Sequence, residues 1–84
     1  MEKTILVVVI DKRRATAPEV QKTLTTFGCI IKTRLGIHDG VVDKCSDHGL
    51  LILELVGRKS ERRGLQKKLG LLPGVKTKSI DISA

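Results

Sequence analysis

Two aliphatic runs, residues 5–10 and 50–56, constrain this chain more than any other feature. The first is an unbroken series of Ile, Leu and Val, and the second is interrupted only by Glu54. Both fall far short of the ~20 apolar residues that a membrane helix needs. Their length and β-branched content favour buried strands. A strand that is apolar on both faces must be covered on both. With 84 residues, the chain is expected to be one domain, 1–84, that buries only a modest part of its surface unless it associates. Phe27 is the only aromatic residue, so the core is expected to be Val, Ile and Leu between close layers, without a large ring-lined pocket.

The rest of the chain arranges itself around those runs. Residues 3–11 read as a first strand. Thr16 and Glu19 match a capping box with Pro18 in the first turn, and Val20, Leu24 and Phe27 follow at helical spacing until Gly28. Residues 29–37 alternate, with Ile31, Thr33, Leu35 and Ile37 on one face and Lys32 and Arg34 on the other. After a polar loop at 38–48 comes a third strand, 49–57. Ser60 can cap a second helix with an apolar stripe of Leu65, Leu69 and Leu72, its Arg62, Arg63, Lys67 and Lys68 turned to solvent. Gly70 and Pro73-Gly74 stop it, and residues 75–82 form a fourth strand with Lys76 and Lys78 outward.

The order βαββαβ is that of an α+β, ferredoxin-like fold: a four-stranded antiparallel sheet with two helices on one face. Strands one and three are then central, and the alternating, lysine-bearing strands two and four lie at the edges. The second sheet face needs a cover, and the simplest is another copy of the chain. Leu50, Ile52, Glu54 and Val56 form the expected oligomer interface of a homodimer or homotetramer, with Lys32 or Arg34 as partners for Glu54. A small apolar ligand, or a monomer with an unusually hydrophobic surface, is the alternative.

Three polar groupings are candidates for chemistry. Between residues 38 and 48 lie both histidines, Cys45 and three of the nine acidic residues, an acidic island in a chain of net charge +7. His38, Cys45 and His48 supply imidazole and thiolate, natural ligands of a divalent transition metal; the same residues also suit a merely structural hairpin. Lys12, Arg13 and Arg14 precede the first helix, where an anionic effector would relieve their repulsion from its N-terminus. In the expected topology they share a sheet end with the 38–48 loop, whose aspartates can neutralise them instead. Third, the second helix carries six basic residues between 58 and 68, a possible phosphate-tracking face for nucleic acid. That face has no interleaved aromatics, so a solvated surface is the preferred reading and nucleic acid is not the expected partner.

No nucleophile elbow or Gly-rich phosphate loop is present, so a non-enzymatic role is expected. No secretion signal or membrane-length segment is evident, which points to a cytoplasmic protein with free thiols at Cys29 and Cys45 and no membrane partner.

Thr33-Arg34-Leu35-Gly36-Ile37, the stretch Gly49-Leu-Leu-Ile-Leu-Glu-Leu-Val56, and Leu69-Gly70-x-Leu72-Pro73-Gly74-Val75-Lys76-x-Lys78 together resemble the small regulators associated with iron-only hydrogenase systems. The resemblance covers nearly the whole chain. That family is similar in fold to the ACT-like C-terminal domain of the nickel-responsive repressor. The resemblance therefore implies an ACT-like domain that oligomerises through its open sheet face and binds an effector near subunit interfaces. His38 matches the second histidine of the repressor's His-x-His, Gly36 stands at the first, and His48 lies near its cysteine position, with Cys45 slightly earlier. Because residues 1–3 run straight into the first strand, no counterpart of the repressor's DNA-binding region is expected. The expected role is a regulatory domain acting through a small-molecule effector or a protein partner.

Overall fold

The computed structural model describes residues 2–11, 13–41 and 44–83, apart from the side chains of residues 13, 14, 37–41 and 44–47. The elements run β1 (Glu2–Ile10), α1 (Arg13–Thr26), a short 3-10 turn (Gly28–Ile30), β2 (Ile31–Val41), β3 (Lys44–Leu55), α2 (Lys59–Gly70) and β4 (Val75–Ser83). The four strands form one sheet in the order β2-β3-β1-β4, and every pairing is antiparallel. This is the ferredoxin-like α+β arrangement, with the two aliphatic strands at the centre.

The core lies between the sheet and the two helices. Leu6, Val8 and Ile10 of β1 and Leu51, Leu53 and Leu55 of β3 meet Val20 and Leu24 of α1 and Leu65 and Leu69 of α2; Ile30 and Val75 complete the buried cluster. Phe27, Ile31 and Leu72 pack against its margin. The helical stripes lie where their spacing predicts. Their starts differ. Helix α1 begins at Arg13, so Thr16 is inside it rather than at its cap, and its buried hydroxyl donates to the Pro73 carbonyl oxygen at 3.1 Å. Arg58, not Ser60, is the N-cap of α2, where Glu61 reaches back to accept the Arg58 backbone N–H at 3.1 Å. At α1 the Thr16–Pro73 bond takes the place of the expected cap, whereas at α2 a local capping box of Arg58 and Glu61 places the N-cap two residues before Ser60.

The second strand also departs from simple alternation. Ile31 stands opposite Leu55, but Thr33 stands opposite Glu54, so Lys32 is an extra residue on β2. Such a bulge shifts the two-residue period by one. Ile31 consequently packs on the helix side, while Thr33 and Leu35 share the open face. Arg34 lies on the helix side, where its guanidinium donates to Gln21 Oε1 at 2.7 Å. The turn from β3 into α2 depends on Gly57, whose φ is +90° and where a Cβ would lie 2.9 Å from Ile30 Cγ2.

Leu53 is fully buried in the central strand, whereas Leu71 is 75% exposed. Leu53→Ala is expected to cost about 2–5 kcal/mol in chemical denaturation through lost burial and cavity formation. Leu71→Ala is expected to change stability by no more than about 0.5 kcal/mol.

Candidate functional site

The polar segment 38–48 is mostly strand rather than loop, because β2 runs to Val41 and β3 begins at Lys44. Backbone pairing does not depend on side-chain polarity, and the ladder accommodates the segment with one irregularity. His38 stands opposite Gly49 and Gly40 opposite Cys45, so residues 46–48 of β3 face the single residue 39 of β2. His48 is in that widened stretch. Its side chain is exposed, and Nε2 lies 3.8 Å from Oδ1 of Asp11, just past the end of β1. The side chains of His38 and Cys45, and Lys12, Arg13 and Arg14 as an effector site, lie outside the described residues. Among the described residues no group of three or more His, Cys, Asp or Glu is placed to hold a metal. Cys29 is a free, exposed thiol.

The sheet face away from the helices is well defined. Residues paired across an antiparallel ladder share a face, so Ile5, Val7 and Val9 line up with Glu54, Ile52 and Leu50 on one side, and with Ile80, Lys78 and Lys76 on the other. Leu35 extends the row opposite Ile52, and Ile82 extends it beyond Ile80. Val9, Leu35, Ile80 and Ile82 are each more than 40% exposed. Val56, also exposed, is the next alternate position after Glu54. The interface residues read from β3 are therefore part of an apolar surface that crosses the whole sheet.

Glu54 has its partners within the chain. Lys3 Nζ lies 3.2 Å from Oε2, and the Thr33 hydroxyl donates to Oε1 at 3.2 Å. Arg34 is on the opposite side of the sheet, which removes it as a partner. The carboxyl is held below the usual carboxylate range chiefly by the Lys3 hydrogen bond, against the opposing effect of desolvation; the Thr33 hydrogen bond and the charges of Lys3 and Lys32 add to the lowering.

A second polar feature lies on the helix side. Arg62 is not turned to solvent: its side chain is only 15% exposed, with Nη1 3.3 Å from Glu2 Oε1. The same nitrogen donates to the hydroxyl of Thr4, which in turn donates to Asp81 Oδ1 at 2.7 Å. Arg62 Nε is buried without an acceptor among the described residues. Next to this chain is a cleft of about 250 Å³ lined by residues of α2, β1 and β4. The pattern had a trace in the sequence: Lys59, Arg62, Arg63 and Gln66 share one helical stripe, and Thr77, Ser79 and Asp81 alternate along β4. The strand half follows from the outward placement of Lys76 and Lys78, while the helix half reads as solvent-facing until the fold opposes the two.

No family model matches the chain, and no curated protein matches it. Solved structures do. The uncharacterized protein TM1266 from Thermotoga maritima superposes with a TM-score of 0.82 at 24% identity, over 99% of this chain and 100% of that one. CPII, a nitrogen regulatory PII-like protein from Thiomonas intermedia K12 bound to ADP, AMP and bicarbonate, gives a TM-score of 0.60 at 11% identity over 100% and 96%. A dimeric ferredoxin-like protein from an uncultured marine organism gives 0.51 at 11% identity over 96% and 92%. At these identities the likeness defines the fold class, ferredoxin-like. Among the described residues no helix is long and apolar enough to cross a membrane.

A carboxyl with a lowered folded-state value stabilises the fold fully above its unfolded value and loses that contribution as pH falls through the folded one. Wild type is therefore expected to lose stability more steeply than Glu54→Gln below the ordinary value of 4.5. Urea midpoints measured across that range check this, and parallel curves would leave the Lys3–Glu54 pair without a stabilising role.

Proposed function

We propose that this chain is a non-enzymatic, effector-sensing regulatory domain that works as an oligomer, with a second copy covering the open sheet face. The observation that carries the reading is the continuous apolar surface of Ile5, Val7, Leu50 and Ile52, extended by Val9, Leu35, Ile80 and Ile82. Exposed patches of this kind on small domains mark association sites. The Lys3–Glu54 pair beside Ile5 is already satisfied within one chain, so a symmetric partner does not have to neutralise that carboxylate, and Lys76 and Lys78 lie toward the β4 edge of the face. A sheet-to-sheet contact also suits a chain with one aromatic residue, because aliphatic faces pack closely without pockets.

The fold-level likeness to a dimeric ferredoxin-like protein and to a PII-like regulator bound to nucleotides supports this reading. The motifs shared with the regulators of iron-only hydrogenase systems point to a role in such a system. A metal-responsive form of the reading uses His38, Cys45 and His48, and its anion-responsive form uses Lys12, Arg13 and Arg14. Zinc or nickel titration of wild type against His38→Ala and His48→Ala separates the metal form from a purely structural hairpin; equal affinity in all three excludes those histidines as ligands.

Light scattering at micromolar concentration is expected to give a dimer or larger species for wild type. Ile52→Lys is expected to give a monomer with an unchanged circular dichroism spectrum, since Ile52 is outside the helix-side core. A strictly monomeric wild type would contradict the proposal.

A further inference from the structure

The cleft on the helix side has a composition that packing does not require. Along β4 the helix-facing positions run Val75, Thr77, Ser79 and Asp81, buried at the first and exposed at the last two. On β1, Thr4 continues the row of Leu6, Val8 and Ile10. The sheet therefore turns polar at the end where α2 begins. Gln66 Nε2 donates to the Thr77 hydroxyl at 3.3 Å, closing the end of the cleft nearest the core. Beyond that bond, Lys59, Arg62 and Arg63 face Ser79 and Asp81 across the opening.

The charges do not balance. Arg62 is answered by Glu2 and, through Thr4, by Asp81. Among the described residues Lys59 and Arg63 pair with no acid, and Arg62 Nε is a buried donor with no acceptor. Two cations without a paired acid suit an anion with several acceptor oxygens, and an Arg fork matches phosphoryl oxygens in geometry. A carboxylate at the other end limits where that anion can sit. Asp81 uses Oδ1 for Thr4, leaving Oδ2 to accept from a ligand O–H, with the Ser79 hydroxyl alongside. The volume of about 250 Å³ exceeds one phosphate and falls just below the usual range of drug-sized sites, which begins at about 300 Å³.

From this arrangement we infer that the cleft binds a small phosphorylated metabolite bearing hydroxyl groups, its phosphoryl on Lys59 and Arg63 and its hydroxyls on Asp81 and Ser79. The inference rests on the effector-sensing reading and deepens it by placing an effector on the face opposite the proposed oligomer interface. A sugar phosphate has the matching size and polarity. Inorganic phosphate fills only the cationic end, and a nucleoside monophosphate carries a base for which the cleft provides no aromatic or apolar wall.

Calorimetric titration with inorganic phosphate, ribose 5-phosphate and AMP tests this. Ribose 5-phosphate is expected to bind most tightly, in the sub-millimolar range. Lys59→Gln and Arg63→Gln, both exposed positions, are expected to weaken it by roughly tenfold or more each. Lys32→Gln and Lys76→Gln, which lower the net charge equally elsewhere, are expected to change it less than about twofold. Asp81→Asn is expected to reduce the preference for ribose 5-phosphate over phosphate, its fold checked by thermal melting. No heat from ribose 5-phosphate in wild type, or equal weakening by all four lysine and arginine variants, would overturn the inference. Light scattering on the same samples keeps the outcomes distinct: an intact oligomer without binding refutes the cleft alone, whereas a monomer that binds refutes the oligomer reading alone.

Discussion

The pairing of β1 with β3 is the constraint on which the rest of the structure depends. Both strands are aliphatic on both faces, so placing them side by side produces two apolar surfaces instead of one. One surface, built on Leu6, Val8, Leu51 and Leu53, is covered by the two helices. The other remains along Ile5, Val7, Leu50 and Ile52. The edge strands follow from this choice. β2 and β4 complete the sheet with alternating sequence, β4 contributing Lys76 and Lys78 at one end of the open face and Ile80 and Ile82 toward the other.

That much was legible in the sequence because hydrophobic periodicity reports burial directly. Strand order, the helical stripes of Val20, Leu24, Leu65 and Leu69, and the glycine-dependent turns all follow from local pattern. The bulge at Lys32 was not legible. A single inserted residue leaves composition unchanged while moving Ile31 to the core side and Arg34 to the helix side. The 38–48 segment was read as a loop because its residues are polar, yet strand pairing is made by the backbone. The capping signal at Thr16 gives way to its hydrogen bond with Pro73, and the one at Ser60 gives way to the local capping box of Arg58 and Glu61. The Arg62–Thr4–Asp81 chain joins residues up to 77 positions apart in the sequence, and no local pattern encodes such a meeting.

The two faces differ in chemistry. The open sheet face combines its apolar rows with the internally paired Lys3–Glu54 and with Lys76 and Lys78 at its β4 edge, and its apolar part suits packing against a second sheet. The helix side has its hydrophobic core at one end and a polar cleft at the other, where α2 lies above Thr4, Ser79 and Asp81. An assembly through the first face leaves the second accessible. On the proposed reading, this separation would let a small domain with no aromatic-lined pocket combine association with ligand sensing.

The central claim, that a second copy covers the open sheet face, is tested most directly by isotope-filtered NMR on a mixture of labelled and unlabelled chains. The account predicts intermolecular contacts among the methyl groups of Ile5, Val7, Ile52 and Ile80 and none from the core methyls of Leu65 and Leu69. Absence of intermolecular contacts from the sheet face, or contacts confined to the helices, would contradict it.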